Sequence, residues 1–128
     1  MATIKSFKEL EIWKSSFSLT VEVYNLFEKN KDYGFKDQIQ RATVSIMNNI
    51  AEGYERQTNK EFIRFLFISK GSAGEVSSML TIANERKYIS KEKFEELDKR
   101  INLLAVKIGK LIHYLRSIDQ TLPATRNS

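Results

Sequence analysis

Hydrophobic positions along the chain fall into four long runs with helical spacing. In the first, Leu10, Trp13, Phe17, Val21, Tyr24 and Phe27 recur every three or four residues, the period that puts side chains on one face of an α-helix. Ile12, Leu19, Val23 and Leu26 form a second apolar line beside it, so this helix is expected to touch more than one neighbour. Ser6 and Glu9 ahead of it make a capping-box pattern, in which each side chain satisfies a backbone N–H of the other's segment. The polar stretch from Asn30 to Gly34 reads as its stop, with glycine as the terminator.

The second run places Phe35, Ile39, Ala42, Ile46, Ile50 and Tyr54 on one line, and Thr58 with Glu61 then caps a third helix. So short a turn folds these two helices into an antiparallel hairpin. The third run is Phe62, Phe65, Leu66, Ser69, Ala73, Val76, Leu80 and Ala83, with Gly71 and Gly74 in its middle. Each of those glycines costs about 1 kcal/mol relative to alanine, and close approach of a neighbouring helix is the expected compensation. Ser90 caps a fourth helix whose Phe94, Leu97, Ile101, Leu104, Ile108, Leu111, Leu115 and Ile118 alternate four and three without a break. That heptad seam is the clearest periodic signal in the chain. The expected fold is all-α: an antiparallel up-down-up-down four-helix bundle with helices at about 7–29, 35–56, 59–87 and 91–118. A single domain over 1–120 and a flexible tail over 121–128 complete the expectation.

Composition narrows the chemistry. A chain of 128 residues with five Gly and one Pro is poor in turns, which disfavours many short strands. The absence of Cys and the single His exclude disulfides, zinc fingers and thiol nucleophiles. His113 reads as a partly exposed histidine near a helix C-terminus, where positive charge is favoured. Residue 110 is Lys, so the Glu-x-x-His pairs of di-iron bundles are missing. Neither a phosphate-gripping loop nor a nucleophile–base pair can be assembled, so no enzyme activity, cofactor, metal or small-molecule substrate is expected. No stretch approaches the apolar length of a membrane span, and a cytoplasmic location without a membrane partner is the expectation.

Two polar patterns remain. On the second helix Arg41, Ser45, Asn49, Glu52 and Arg56 form a stripe beside the core line; it fits a solvated face, or a surface with something to contact, since Ser and Asn fill helices poorly. The hairpin register brings Glu75 within reach of Arg41, and an ion pair between them is expected. Lys and Arg number 21 against 16 acidic residues, a net charge of +5. Lys99, Arg100, Lys107, Lys110 and Arg116 gather in the later part of the fourth helix, and Arg56, Lys60 and Arg64 make a second patch. Macrodipole complementarity accounts for the first cluster, and so does a surface for nucleic-acid phosphates.

The run from Arg41 to Arg56, RATVSIMNNIAEGYER, resembles the signature of the 23S rRNA intervening-sequence proteins, a four-helix-bundle family often labelled ribosomal-protein-like. FKELEIWK at 7–14, KEFIRFL at 60–66 and GSAGE at 71–75 resemble other parts of that family in the same order. Met47-Asn48 departs from a frequent Pro-Ala, and Asn84 to Tyr88 is more polar than the usual end of the third helix. The resemblance implies a ring-like homo-oligomer, a pentamer in family members, which would cover the second apolar line of the first helix. It also implies distant kinship with the accessory variability protein of diversity-generating retroelements, a basic bundle that binds nucleic acid and a reverse transcriptase. Five chains of +5 each would carry about +25 and a correspondingly stronger field. The resulting expectation is a non-enzymatic homo-oligomeric bundle binding RNA or DNA through basic surfaces formed on assembly. The alternative is a scaffold ring that contacts a protein partner and no nucleic acid.

Overall fold

The structure, a computed structural model, describes residues 4–119. Those residues form a 3-10 turn at Phe7–Glu9 and four helices: α1 (Glu11–Leu26), α2 (Tyr33–Tyr54), α3 (Asn59–Glu85) and α4 (Lys91–Asp119). The tail expected at 121–128 lies outside the described residues.

The start of the chain differs from the single helix expected over 7–29. Ser6 and Glu9 do make the capping box, but it closes only one 3-10 turn. Leu10 then adopts an extended conformation (φ −69°, ψ 131°) and α1 begins at Glu11. The turn is held by contacts rather than by helix continuity: the Phe7 ring meets Trp13 edge-on at 5.4 Å, and the Tyr54 hydroxyl donates to the Ile4 carbonyl at 3.1 Å. The second helix starts two residues earlier than expected, because Asp32 is its cap and accepts from the Phe35 N–H at 3.2 Å. Gly34 is therefore inside the first turn of α2 instead of stopping α1. The Tyr88 hydroxyl donates to the other Asp32 oxygen at 2.6 Å. That bond, followed by the Phe35 N–H, holds the carboxyl below its ordinary range.

The apolar lines of α1 exchange roles. Ile12, Leu19 and Val23 are buried, together with Ser16 and Thr20, while Phe17, Val21 and Tyr24 are 44–46% exposed. Two hydroxyls explain how the less apolar line can face inward. Ser16 Oγ donates to the Trp13 carbonyl and Thr20 Oγ1 to the Ser16 carbonyl, so neither is left unsatisfied in the core. Most of the line expected to need cover from an assembly is already inside the bundle, while the middle of the longer line, Phe17, Val21 and Tyr24, is outside and its end, Phe27, is fully buried.

The remaining core lines match expectation. Phe62, Leu66, Ala73, Val76, Leu80 and Ala83 of α3 are buried against Ile39, Ala42, Ile46 and Ile50 of α2 and against Leu97, Ile101, Leu104 and Ile108 of α4. Near its end the α4 seam drifts from Leu111 to Ile112, as a 3.6-residue helix must relative to a strict heptad. α3 packs along its length on both α2 and α4, whereas the α1–α4 seam is the thinnest in the bundle. After Arg86 the α3 carbonyls are closed by Tyr88 N–H to Ala83 and Lys87 N–H to Asn84. This Schellman arrangement puts Lys87 in the left-handed region at φ 61°.

Glycine packing is the reverse of the expected pattern. A β-carbon at Gly71 or Gly74 would meet nothing within 4 Å, while at Gly53 it would lie 2.8 Å from Phe65 Cβ and 2.9 Å from Phe62 Cδ1. The close approach is therefore at the α2–α3 turn, and not at the mid-helix glycines of α3. Gly53→Ala is expected to lower the unfolding free energy by about 1–3 kcal/mol through overpacking. Gly71→Ala and Gly74→Ala are each expected to raise it by up to about 1 kcal/mol through helix propensity. Urea unfolding of the three variants checks this ordering, and a destabilised Gly71→Ala protein would contradict it.

Candidate nucleic-acid interface

The polar stripe of α2 divides in two. Its middle is an interhelical hydrogen-bond chain: Asn49 Nδ2 donates to the Ser45 carbonyl at 2.8 Å and to Ser45 Oγ at 3.0 Å. Ser45 Oγ and Ser72 Oγ share a 2.8 Å hydrogen bond, and Ser69 Oγ donates to the Ile46 carbonyl at 2.8 Å. Small hydroxyl residues thus set the register of α2 on α3. Its ends are local pairs four residues apart, one within α2 and one reaching just past its end. Arg41 binds Asp37 at 2.8 Å, with 78% of its side chain exposed, and no hydrogen bond or ion pair joins it to Glu75. A partner one turn earlier on the same helix needs no reach across the groove, so the expected Arg41–Glu75 pair does not form. Glu52 pairs with Arg56 at 2.9 Å.

The cations of α4 also divide, according to the helix they face. On the α1 side, Glu22 pairs with both Arg100 and Lys93, and Glu11 pairs with Lys107. Partial burial pushes the Glu22 carboxyl up, but hydrogen bonds and charge from Arg100 and Lys93 outweigh it and hold the group below its ordinary range. The hydrogen bond from Lys107 does the same for Glu11. These pairs bridge the thin seam, beside a cleft of about 310 Å³ lined by Lys14, Ser18, Leu103 and Lys107 among others. Arg100 and Lys107, expected as phosphate contacts, are thus engaged as cross-links between α1 and α4.

The α3 side is different. Lys110 makes no ion pair among the described residues there, and Arg116 stacks its guanidinium 5.0 Å from the Phe67 ring centroid. Lys99, on the outer face of α4, is exposed and also without an ion pair among the described residues. Lys110 lines an open groove of about 540 Å³ with Lys70, His113, Val106 and Gly109. At the same end of the bundle, Arg56 and Arg64 flank the Phe65 ring at 4.7 Å and 5.0 Å, and Lys60 is exposed. Of the α4 cations expected to act together, Arg100 and Lys107 are therefore neutralised by α1, while Lys110 and Arg116 lie towards α3; Arg56 is paired with Glu52. Lys70 and Phe67 were not legible as neighbours of Lys110 and Arg116, because only the α3–α4 register brings them to α4. The sequence signal that points to them is Gly109, a small residue of α4 beside Lys70, where an added β-carbon would stand 3.9 Å from Lys70 Nζ.

Among the described residues no group of three or more His, Asp or Glu side chains is placed to hold a metal ion. No described helix is long and apolar enough to cross a membrane.

The charge assigned to Glu22 has a pH signature. Glu22→Gln is expected to lose about 1 kcal/mol of stability near neutrality at low salt. A depressed carboxyl stabilises the fold above its unfolded pKa, and that contribution is lost as pH falls through the lower folded value. The gap between wild type and variant should therefore close below about pH 4 and shrink in about 1 M salt. Urea unfolding across pH measures it; a gap unchanged in acid would assign the effect to packing.

Comparison with known proteins agrees with this architecture. No curated protein matches the chain. Among solved structures, it is similar to a protein of unknown function from the S23 ribosomal protein family of Bacteroides thetaiotaomicron. The two share 25% sequence identity over 79% of this chain and 97% of that one, with a TM-score of 0.74. The family model for the 23S rRNA-intervening sequence protein matches residues 8–110. That span holds all of α2 and α3 and most of α4, and on it the chain belongs to the 23S rRNA-intervening sequence protein family.

Proposed function

We propose that the protein is a non-enzymatic, homo-oligomeric bundle of the cytoplasm that binds RNA or another nucleic acid through cationic surfaces. The observation that carries this reading is the set of α3 and α4 lysines, Lys60, Lys99 and Lys110, that make no ion pair among the described residues. Cations unpaired within the fold remain available to displace counterions from phosphates. Family membership adds a genetic association with rRNA, and assembly of several +5 chains would strengthen the field each phosphate meets.

The exposed Phe17, Val21 and Tyr24 on α1 favour self-association, since a contiguous apolar stripe on a surface helix marks an interaction face. The same stripe supports the second reading, a scaffold ring for a protein partner. Solution mass together with the 260/280 nm absorbance ratio of the untreated protein tests assembly and co-purifying nucleic acid at once. Affinity for RNA is expected to fall about 10- to 100-fold between about 50 and 200 mM salt, as a handful of phosphate contacts requires. Lys60→Ala/Lys99→Ala/Lys110→Ala should weaken binding and flatten that dependence. Absence of RNA and DNA binding at low salt would overturn the nucleic-acid reading, and retention of a protein partner after nuclease treatment would favour the scaffold.

A further inference from the structure

The α3–α4 groove combines features that the isolated basic patches do not have. It is lined by Ala105, Val106 and Gly109 with the polar Lys70 from α3 and Asn102, Lys110 and His113 from α4. No acidic residue lines it, and neither lysine is taken by an ion pair among the described residues. One turn before Lys70, the Phe67 ring is 45% exposed. One turn after His113, the Arg116 guanidinium lies over that ring at 5.0 Å.

The groove also has a direction. Towards the start of α4, Asp98 accepts from Ser77 Oγ at 2.6 Å and from Asn102 Nδ2 at 3.2 Å. A carboxylate there repels a phosphate, so the favourable path runs from Lys110 towards Phe67 and Arg116 and not the other way. The α1 side of α4 offers no equivalent, because Glu11 and Glu22 hold its cations.

We infer that this groove is a single-strand nucleic-acid site, with Lys70 and Lys110 on successive phosphates and an unpaired base on the Phe67–Arg116 platform. The inference rests on the nucleic-acid reading above and deepens it. Cationic walls alone would accept a duplex, but an exposed aromatic face is useful only to a base that is not already stacked and paired. The small Ala105 and Gly109 leave room over the α4 backbone for a sugar to sit between the two elements. The platform is sequence-tolerant, since every base has a π-face.

Fluorescence anisotropy of the full chain with a labelled oligouridylate of about 12 nucleotides, against an RNA duplex of similar length, tests the site. Wild type should prefer the single strand at least several-fold. Lys70→Ala/Lys110→Ala should weaken that binding at least tenfold and reduce the slope of log affinity against log salt by about 1.4, the loss of two single-strand phosphate contacts. Phe67→Leu keeps apolar volume but removes the π-face; it should weaken single-strand binding by about fivefold or more without changing the salt slope. Lys29→Ala/Lys31→Ala, on the loop between α1 and α2, should change neither. Thermal melts of each variant check that folding is retained. Wild-type binding with the groove variants within twofold of it would overturn the groove and leave the nucleic-acid reading standing. Equal or tighter binding of the duplex would overturn the single-strand assignment. Binding of neither probe would overturn both readings.

Discussion

At Gly53 the backbone of α2 lies against the β-carbon of Phe65 and the ring of Phe62, closer than any side chain permits. The position is one residue before the end of α2, so this contact sets how tightly the chain can turn into α3. Everything along the hairpin follows from that separation. Ser69 can reach the Ile46 carbonyl and Ser45 can reach Ser72 because the two backbones are near enough for one-oxygen side chains to span the gap. With α3 held there, its opposite face is presented to the α4 seam, and the cations of α4 acquire the neighbours described above. Phe65 takes a second part in the same place, since its ring receives both Arg56 and Arg64.

Much of this was legible in the chain, and what was not has identifiable causes. The α4 heptad and the α3 core line were plain because each is a single apolar stripe with polar neighbours. α1 carries two stripes, and counting apolar residues favours the longer one, Leu10 to Phe27. The structure buries Ile12, Leu19 and Val23 of the other and only the end of the longer one, Phe27, fully, because Ser16 and Thr20 satisfy their own hydroxyls on the preceding turn and then behave as small core residues. The glycines misled for a related reason. Gly71 and Gly74 stand out in the middle of a buried line, yet they lie on the outer side of it. Gly53 sits near a helix end, where glycine looks like an ordinary terminator. Long cations were the least legible feature. Arg41 chose Asp37 on its own helix, and Arg100 and Lys107 chose carboxylates of α1 that are distant in the chain.

The family match and the bundle geometry bear on different levels of function. Belonging to the 23S rRNA-intervening sequence protein family says which sequence and fold the chain shares. The surface chemistry is a separate matter, decided by which cations the fold consumes and which it leaves. α1 acts as an internal counter-anion for one side of α4, so a count of Lys and Arg overstates what that side can offer a ligand. The side facing α3 retains its charge and adds an exposed ring.

Neutralising one flank of α4 also gives the molecule an orientation in solution. A polyanion approaching from the α1 side meets paired charges and little attraction, while one approaching from the α3 side meets a field that the fold has not cancelled. Diffusional encounters are thereby biased before any contact forms, which raises the fraction of collisions arriving in a usable pose. The carboxylates of Glu11 and Glu22, which look like simple fasteners between two helices, therefore also shape the field that any polyanion would meet around the bundle.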